Sequence, residues 1–211
     1  MHAYILLDRS GSMQSLWVEA LSSVNAYAKE LNNKTDGDAV DGHITLATFD
    51  DHDGLKFDLL RRKQPALHWE KVTDREASPR GMTPLLDALG RIIALAEADN
   101  PDRAVIVVMT DGQENASREV TRDGAKTALD RVKTKGWDVV FLGANFDNIS
   151  DASSVGVFAG QQMAMAPGTM NASMMRMAKK SRAYFMRNER HQFDEADREV
   201  AQESKVKGNK S

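Results

Sequence analysis

The chain has 211 residues, with 28 Lys and Arg against 31 Asp and Glu and no cysteine. That length suits one domain with a sizeable core, and a net charge of −3 builds no field that would select nucleic acid or an anionic membrane as partner. The missing thiols exclude disulfides, thiolate metal sites and cysteine nucleophiles, and fit a reducing compartment; with no apolar run long enough to span a bilayer and no basic leader, the expected location is the cytoplasm.

The first element is an apolar run, Ala3 to Leu7, that stops at Asp8, with Ser10 and Ser12 following around Gly11. A short run of this kind reads as an interior strand of a parallel sheet. Trp17, Leu21, Val24, Ala28 and Leu31 recur at helical spacing and predict a helix over about 15–31. Asp36, Asp38 and Asp41 sit in a polar loop whose spacing does not fit a calcium-binding EF-hand. His43 to Phe49 and Leu55 to Leu60, joined by Asp50-Asp51-His52-Asp53-Gly54, predict a hairpin whose second strand is an antiparallel edge. The charged segment 64–80 crosses without regular structure.

Gly81-Met82-Thr83-Pro84 opens a helix to about Ala98, with Thr83 at the N-cap position and Pro84 at the first helical position. Ala104 to Met109 is the most apolar run and predicts a central parallel strand, ending in Thr110-Asp111-Gly112. A helix over 121–135 and a buried strand over 137–142 follow. Beyond Asn145 one or two helical turns are expected at 149–155, an edge strand within 157–166 and a helix from Thr169 to about Arg190. Seven methionines fall between Met163 and Met186. Thioethers could attract Cu(I), but packing of a Met-filled helix face is the expected role. Residues 191–211 are charged and expected to form a flexible tail after a single domain over 1–190.

The alternation of strands and helices predicts an α/β fold, a doubly wound, Rossmann-like and mostly parallel sheet with one antiparallel edge strand and helices on both faces. Such sheets bind ligands beyond the carboxyl ends of their strands. Asp8, Ser10, Ser12, Thr83 and Asp111 all fall there. Two carboxylates and three hydroxyls nearly complete the shell of a hard divalent cation.

These residues resemble the von Willebrand factor A family. Asp8-Arg9-Ser10-Gly11-Ser12 matches its Asp-x-Ser-x-Ser motif, Thr83 its threonine and Asp111 its final aspartate. The resemblance implies a metal-ion-dependent adhesion site. Ser10, Ser12 and Thr83 would ligate the ion directly, and Asp8 and Asp111 directly or through water. The ion would be Mg²⁺, with Mn²⁺ or Ca²⁺ as substitutes. Neutral hydroxyl ligands would leave it enough charge to capture an Asp or Glu carboxylate of a protein partner. Arg9, Met82, Gln113 and Glu114 are candidates for the rim around that contact. Small stand-alone members that this chain resembles work beside ATPases or stress-response components.

Two other functions fit parts of the pattern. A Mg²⁺-dependent phosphohydrolase of haloacid-dehalogenase type also places an aspartate after its first strand. It needs a second Asp two residues on as general acid, and here that position is Ser10. A structural assembly component with a stabilising ion is the other. No enzymatic role is expected.

Overall fold

A computed structural model describes residues 1–33, 40–143 and 152–208. The strands are β1 (His2–Asp8), β2 (His43–Asp51), β3 (Leu55–Pro65), β4 (Ala104–Thr110), β5 (Asp138–Gly143) and β6 (Gln162–Ala164). The helices are α1 (Trp17–Leu31), α2 (Leu85–Asp99), α3 (Arg122–Thr134), α4 (Met170–Arg187), α5 (Glu195–Val200) and α6 (Glu203–Gly208). The six strands lie in the order β3-β2-β1-β4-β5-β6. All neighbours pair in parallel except β2 with β3. The expected doubly wound α/β sheet with one antiparallel edge strand is therefore present.

The burial pattern follows from position in the sheet. Every residue of β1 and of β4 is buried, because helices cover both faces. On one face Ala3, Ile5, Leu7, Val105, Val107 and Met109 pack with α1 and α4. On the other, Tyr4, Leu6, Ile106 and Val108 pack with α2 and α3. Met163, Met165, Met170, Met174 and Met177 all belong to the first core, so five of the seven late methionines serve packing, while Met175 and Met186 are exposed. Edge strand β3 is half-exposed and carries Lys56, Asp58, Arg61, Arg62 and Lys63, a charge pattern that discourages edge-to-edge pairing.

Two expectations need correction. Residues 191–208 do not form a loose tail. His191, Phe193, Asp197, Ala201 and Glu203 are buried. His191 Nδ1 lies 2.8 Å from Asp138 Oδ2, Asp197 meets Arg176 at 2.5 Å and Lys180 at 2.8 Å, and Glu203 accepts from the Ala164 N–H of β6 at 3.0 Å. The charges are matched rather than solvated. Thr83 is not a helix cap: α2 begins at Leu85, Pro84 occupies the cap position, and no side chain of the cap residue bonds the helix. Asp36 and Asp38, Asn145 and the expected turn from 149 to 151 lie outside the described residues.

At the opposite end of the sheet, His2 is buried, its Nε2 2.8 Å from Thr45 Oγ1 and its ring stacked on Tyr4. Burial lowers its pKa from 6.5 to about 3, partly opposed by the Asp99 charge. The unfolded chain therefore takes up a proton that the folded chain refuses. Stability from this group is present above the unfolded pKa and is lost as pH falls towards the folded one, by about 2 kcal/mol between pH 7 and pH 5. Urea midpoints of wild type and His2→Phe at the two pH values should show a smaller drop in the variant. Equal drops would mean that other groups carry the acid sensitivity.

Candidate metal site

Strand order reverses at β1, whose onward connection leads to β2 on one side while β4 lies on the other. The crevice beyond the carboxyl ends of β1 and β4 is thus the switch point of the sheet. Asp8 ends β1 there and is completely buried. Its Oδ1 accepts from the Ser10 N–H at 2.7 Å and its Oδ2 from the Thr110 hydroxyl at 2.6 Å. Ser10 Oγ lies 3.0 Å from Ser12 Oγ, and Ser12 Oγ donates to Asp111 Oδ1 at 2.7 Å. Ser12 is exposed and Asp111 half-buried, so the chain of oxygens runs from the core out to solvent.

Thr83 joins this set across Gly112. A methyl group built on Gly112 would lie 2.3 Å from Thr83 Oγ1 and 3.3 Å from Asp8 Oδ2. The two oxygens therefore converge on one small space that only a glycine leaves open. All five residues singled out in the sequence are brought to this crevice from three separate loops.

The loops are held by contacts that sequence reasoning did not assign. Arg9 Nε donates to Asp50 Oδ1 at 2.7 Å and Arg9 Nη2 to Asp58 Oδ2 at 2.6 Å, while Arg80 Nε donates to Asp50 Oδ2 at 2.9 Å. The Gly11 N–H donates to the Gly81 carbonyl at 3.1 Å, and Asp51 and Met82 exchange backbone bonds of 2.9 and 3.1 Å. Gly81 has φ +67°, and a Cβ there would fall 2.0 Å from the Asp51 carbonyl oxygen, so both conformation and space require glycine. Asn115 clamps Thr83: its Oδ1 accepts from the Thr83 N–H at 2.9 Å, and its own N–H donates to the Thr83 carbonyl at 3.2 Å.

The first N–H groups of α2 are capped from another loop. Leu86 N–H meets Glu114 Oε2 at 2.9 Å and Ser117 Oγ at 3.0 Å. In return the Asp87 carboxylate accepts from the N–H groups of Arg118, Glu119 and Val120 at 2.7–3.0 Å. The Thr83 hydroxyl is thereby released from capping duty and is left beside Asp8. Of the four rim candidates, Arg9 is buried in its ion pairs and Glu114 is used as the cap. Met82, 47% exposed, and Gln113 remain at the surface.

The electrostatics ask for positive charge. Burial pushes the Asp8 carboxyl up to about 6 against the opposing hydrogen bonds from Thr110 and Ser10, and the Asp111 charge pushes the same way. Burial also raises Asp111, opposed by the Ser12 hydroxyl. Among the described residues no Lys, Arg or His forms an ion pair with Asp8. Nor do three or more His, Asp or Glu side chains gather anywhere among them in a way that could hold a metal. What the crevice offers is a mixed hydroxyl–carboxylate set, which suits a hard cation.

The model of the von Willebrand factor type A domain family matches residues 3–199. The domain of that type from the type V pili tip protein Mfa5 of Porphyromonas gingivalis superposes with a TM-score of 0.66 at 12% identity, covering 88% of this chain and 96% of that one. The manganese-loaded TRAP protein of Plasmodium vivax gives 0.58 at 16% identity, covering 84% and 72%. Proximal thread matrix protein 1 of the mussel byssus gives 0.57 at 16% identity, covering 85% of this chain but 47% of that one. At these identities the likeness is one of fold. No curated protein matches the chain. Among the described residues no helix is long and apolar enough to cross a membrane.

Proposed function

The chain belongs to the von Willebrand factor type A domain family, and on that premise we propose that it is a protein-binding module that captures an acidic group of its partner through a divalent cation. Asp8, Ser10, Ser12, Thr83 and Asp111 would hold the ion. The observation that carries this reading is the buried Asp8 carboxylate, hydrogen-bonded at both oxygens yet without a cationic partner among the described residues, at the head of a chain of hydroxyls that leads to solvent. A buried carboxylate of this kind is costly unless a positive charge joins it. The manganese of the Plasmodium vivax TRAP protein supports a divalent cation in this fold, and the all-oxygen donor set favours Mg²⁺.

When bound, the ion supplies a Lewis-acid position at which a carboxylate can complete the shell. The chain's own part is to orient the donors, keep Asp8 out of water and present Met82 and Gln113 beside the opening. The partner is read as a protein carrying an exposed Asp or Glu, met in the cytoplasm. A phosphohydrolase is disfavoured by the same geometry. An aspartyl nucleophile of that type needs a nearby general acid, whereas the residue two positions on is Ser10.

The test is calorimetric titration of EDTA-treated protein with Mg²⁺ and with Mn²⁺. One saturable site is expected in the wild type and a much weaker one in Ser10→Ala and Thr83→Ala. Isotherms that do not differ between wild type and variants would remove these residues from the site. The carboxylate is tested next with Glu-containing peptides, whose retention should need Mg²⁺ and fail when Glu is replaced by Gln.

A further inference from the structure

Two arginines of the described chain are buried. Arg9 meets two aspartates. Arg182, on α4 and only 5% exposed, has no hydrogen bond or ion pair among the described residues, and its Nη1 is cut off from solvent. Nearby cations of the same helix are matched: Arg176 and Lys180 pair with Asp194 and Asp197. A buried guanidinium without a partner is costly, so its retention asks what completes it.

Arg182 forms part of the wall of a cavity of about 180 Å³ together with Lys179, Ala183, Met186 and Arg187. These residues recur at positions i, i+3, i+4, i+7 and i+8 and so share one face of α4. Three of the five are cationic and none is acidic. Among the described residues Arg187 alone of the three has a counter-charge, Glu189. The volume is several times the share of one water molecule, about 30 Å³, and below the roughly 300–1,000 Å³ of sites for drug-sized ligands. One small polyatomic group fits.

We propose that this cavity is a binding site for a phosphate group, held by Arg182 from within the helix face and by Lys179 and Arg187 at its mouth. Nη1 is shut off from the cavity as it is from solvent, but Nε and Nη2 are not closed off in this way, and the planar fork they form matches two oxygens of such a group. Lys179, which has no ion-pair partner among the described residues, adds a second uncompensated positive charge beside Arg182 and favours a dianion over a single carboxylate. The site shares no residue with the β1/β4 crevice and does not depend on the cation reading.

The phosphate can be free or carried on a larger molecule, and the two are separable. Melting and calorimetry would be run in sodium phosphate, in sodium phosphoserine and in sodium chloride at equal ionic strength. A phosphate-specific rise in melting temperature that grows with concentration is expected for the wild type. Tighter binding of phosphoserine would assign a carried phosphate, tighter binding of phosphate a free one. Arg182→Met should lose the rise and melt no lower than wild type in chloride, since an unpaired buried charge has gone. Lys179→Ala, an exposed change, should weaken binding by about tenfold, the worth of one charge-assisted hydrogen bond. Absence of a phosphate-specific rise, an undiminished rise in either variant, or a lower melting temperature of Arg182→Met in chloride would each overturn the proposal. Should Arg182→Met fail to fold, Lys179→Ala and Arg187→Ala decide it.

Discussion

Asp8→Asn is expected to reverse the order of stability between metal-free and metal-containing buffer. Asparagine keeps the shape of the side chain and can still accept from the Ser10 N–H through Oδ1. Its amide nitrogen would face Thr110, whose hydroxyl also lies 3.2 Å from the Gly112 carbonyl oxygen and can donate there instead while accepting from the amide. What disappears is a fully buried negative charge. With the Asp8 carboxyl raised by burial to about 6, that charge costs about 2–3 kcal/mol at pH 7.5 in the absence of a cation. In EDTA the variant should therefore melt higher than wild type, by roughly 4–12 °C for a chain of this size. In Mg²⁺ the wild type should overtake it. An ion present at a thousand times its dissociation constant adds about 4.1 kcal/mol to the species that binds it, more than the buried charge costs, and the variant lacks the proposed carboxylate ligand. Melting curves of both proteins in EDTA and in a Mg²⁺ series check this directly. A variant that is less stable than wild type in EDTA would mean that Asp8 has a counter-charge within the chain. A variant stabilised by Mg²⁺ as much as the wild type would mean that the ion binds elsewhere.

How much of this was legible beforehand depended on whether a residue's partner was close in sequence. The apolar runs at Ala3–Leu7 and Ala104–Met109 stop abruptly at Asp8 and Thr110-Asp111, because strands buried on both faces must end where solvent begins. That pattern alone identifies the carboxyl ends of β1 and β4, and with them Asp8, Ser10, Ser12 and Asp111. The hairpin was readable because its turn and both strands are contiguous. Capping was not. The local rule makes Thr83 before Pro84 the N-cap of α2, yet the helix is capped by Glu114 and Ser117, about thirty residues on, and that substitution is what frees the Thr83 hydroxyl. Arg9 carried the same ambiguity. Between two site residues it reads as a rim side chain, and only the fold reveals that Asp50 and Asp58, 41 and 49 residues away, draw it inward. The segment after 190 reads as a tail for a related reason. Composition counts charges but cannot tell solvated ones from paired ones, and Asp197 and His191 find partners on α4 and β5.

Gly112→Ala is expected to disable the site through Thr83. The new methyl group would sit 2.3 Å from Thr83 Oγ1 and 3.3 Å from Asp8 Oδ2, and the first distance is far inside van der Waals contact. Thr83 cannot retreat as a whole, because Asn115 holds both its N–H and its carbonyl and Thr83 is itself buried. The hydroxyl must then rotate away or the Asp111–Gly112 backbone must shift. Either movement removes a donor from the set, and overpacking of this kind costs about 1–3 kcal/mol in stability. Affinity for Mg²⁺ should fall by about 10–100-fold or more, the range seen when the supports of a metal ligand are disturbed. A double-mutant cycle separates the two effects. Thr83→Ala removes the clashing oxygen, so Gly112→Ala should cost much less stability in that background than in the wild type. Metal affinity should remain low in both, since the hydroxyl is gone. Additive stability losses would place the clash elsewhere, and wild-type affinity in Gly112→Ala would take Thr83 out of the ligand set.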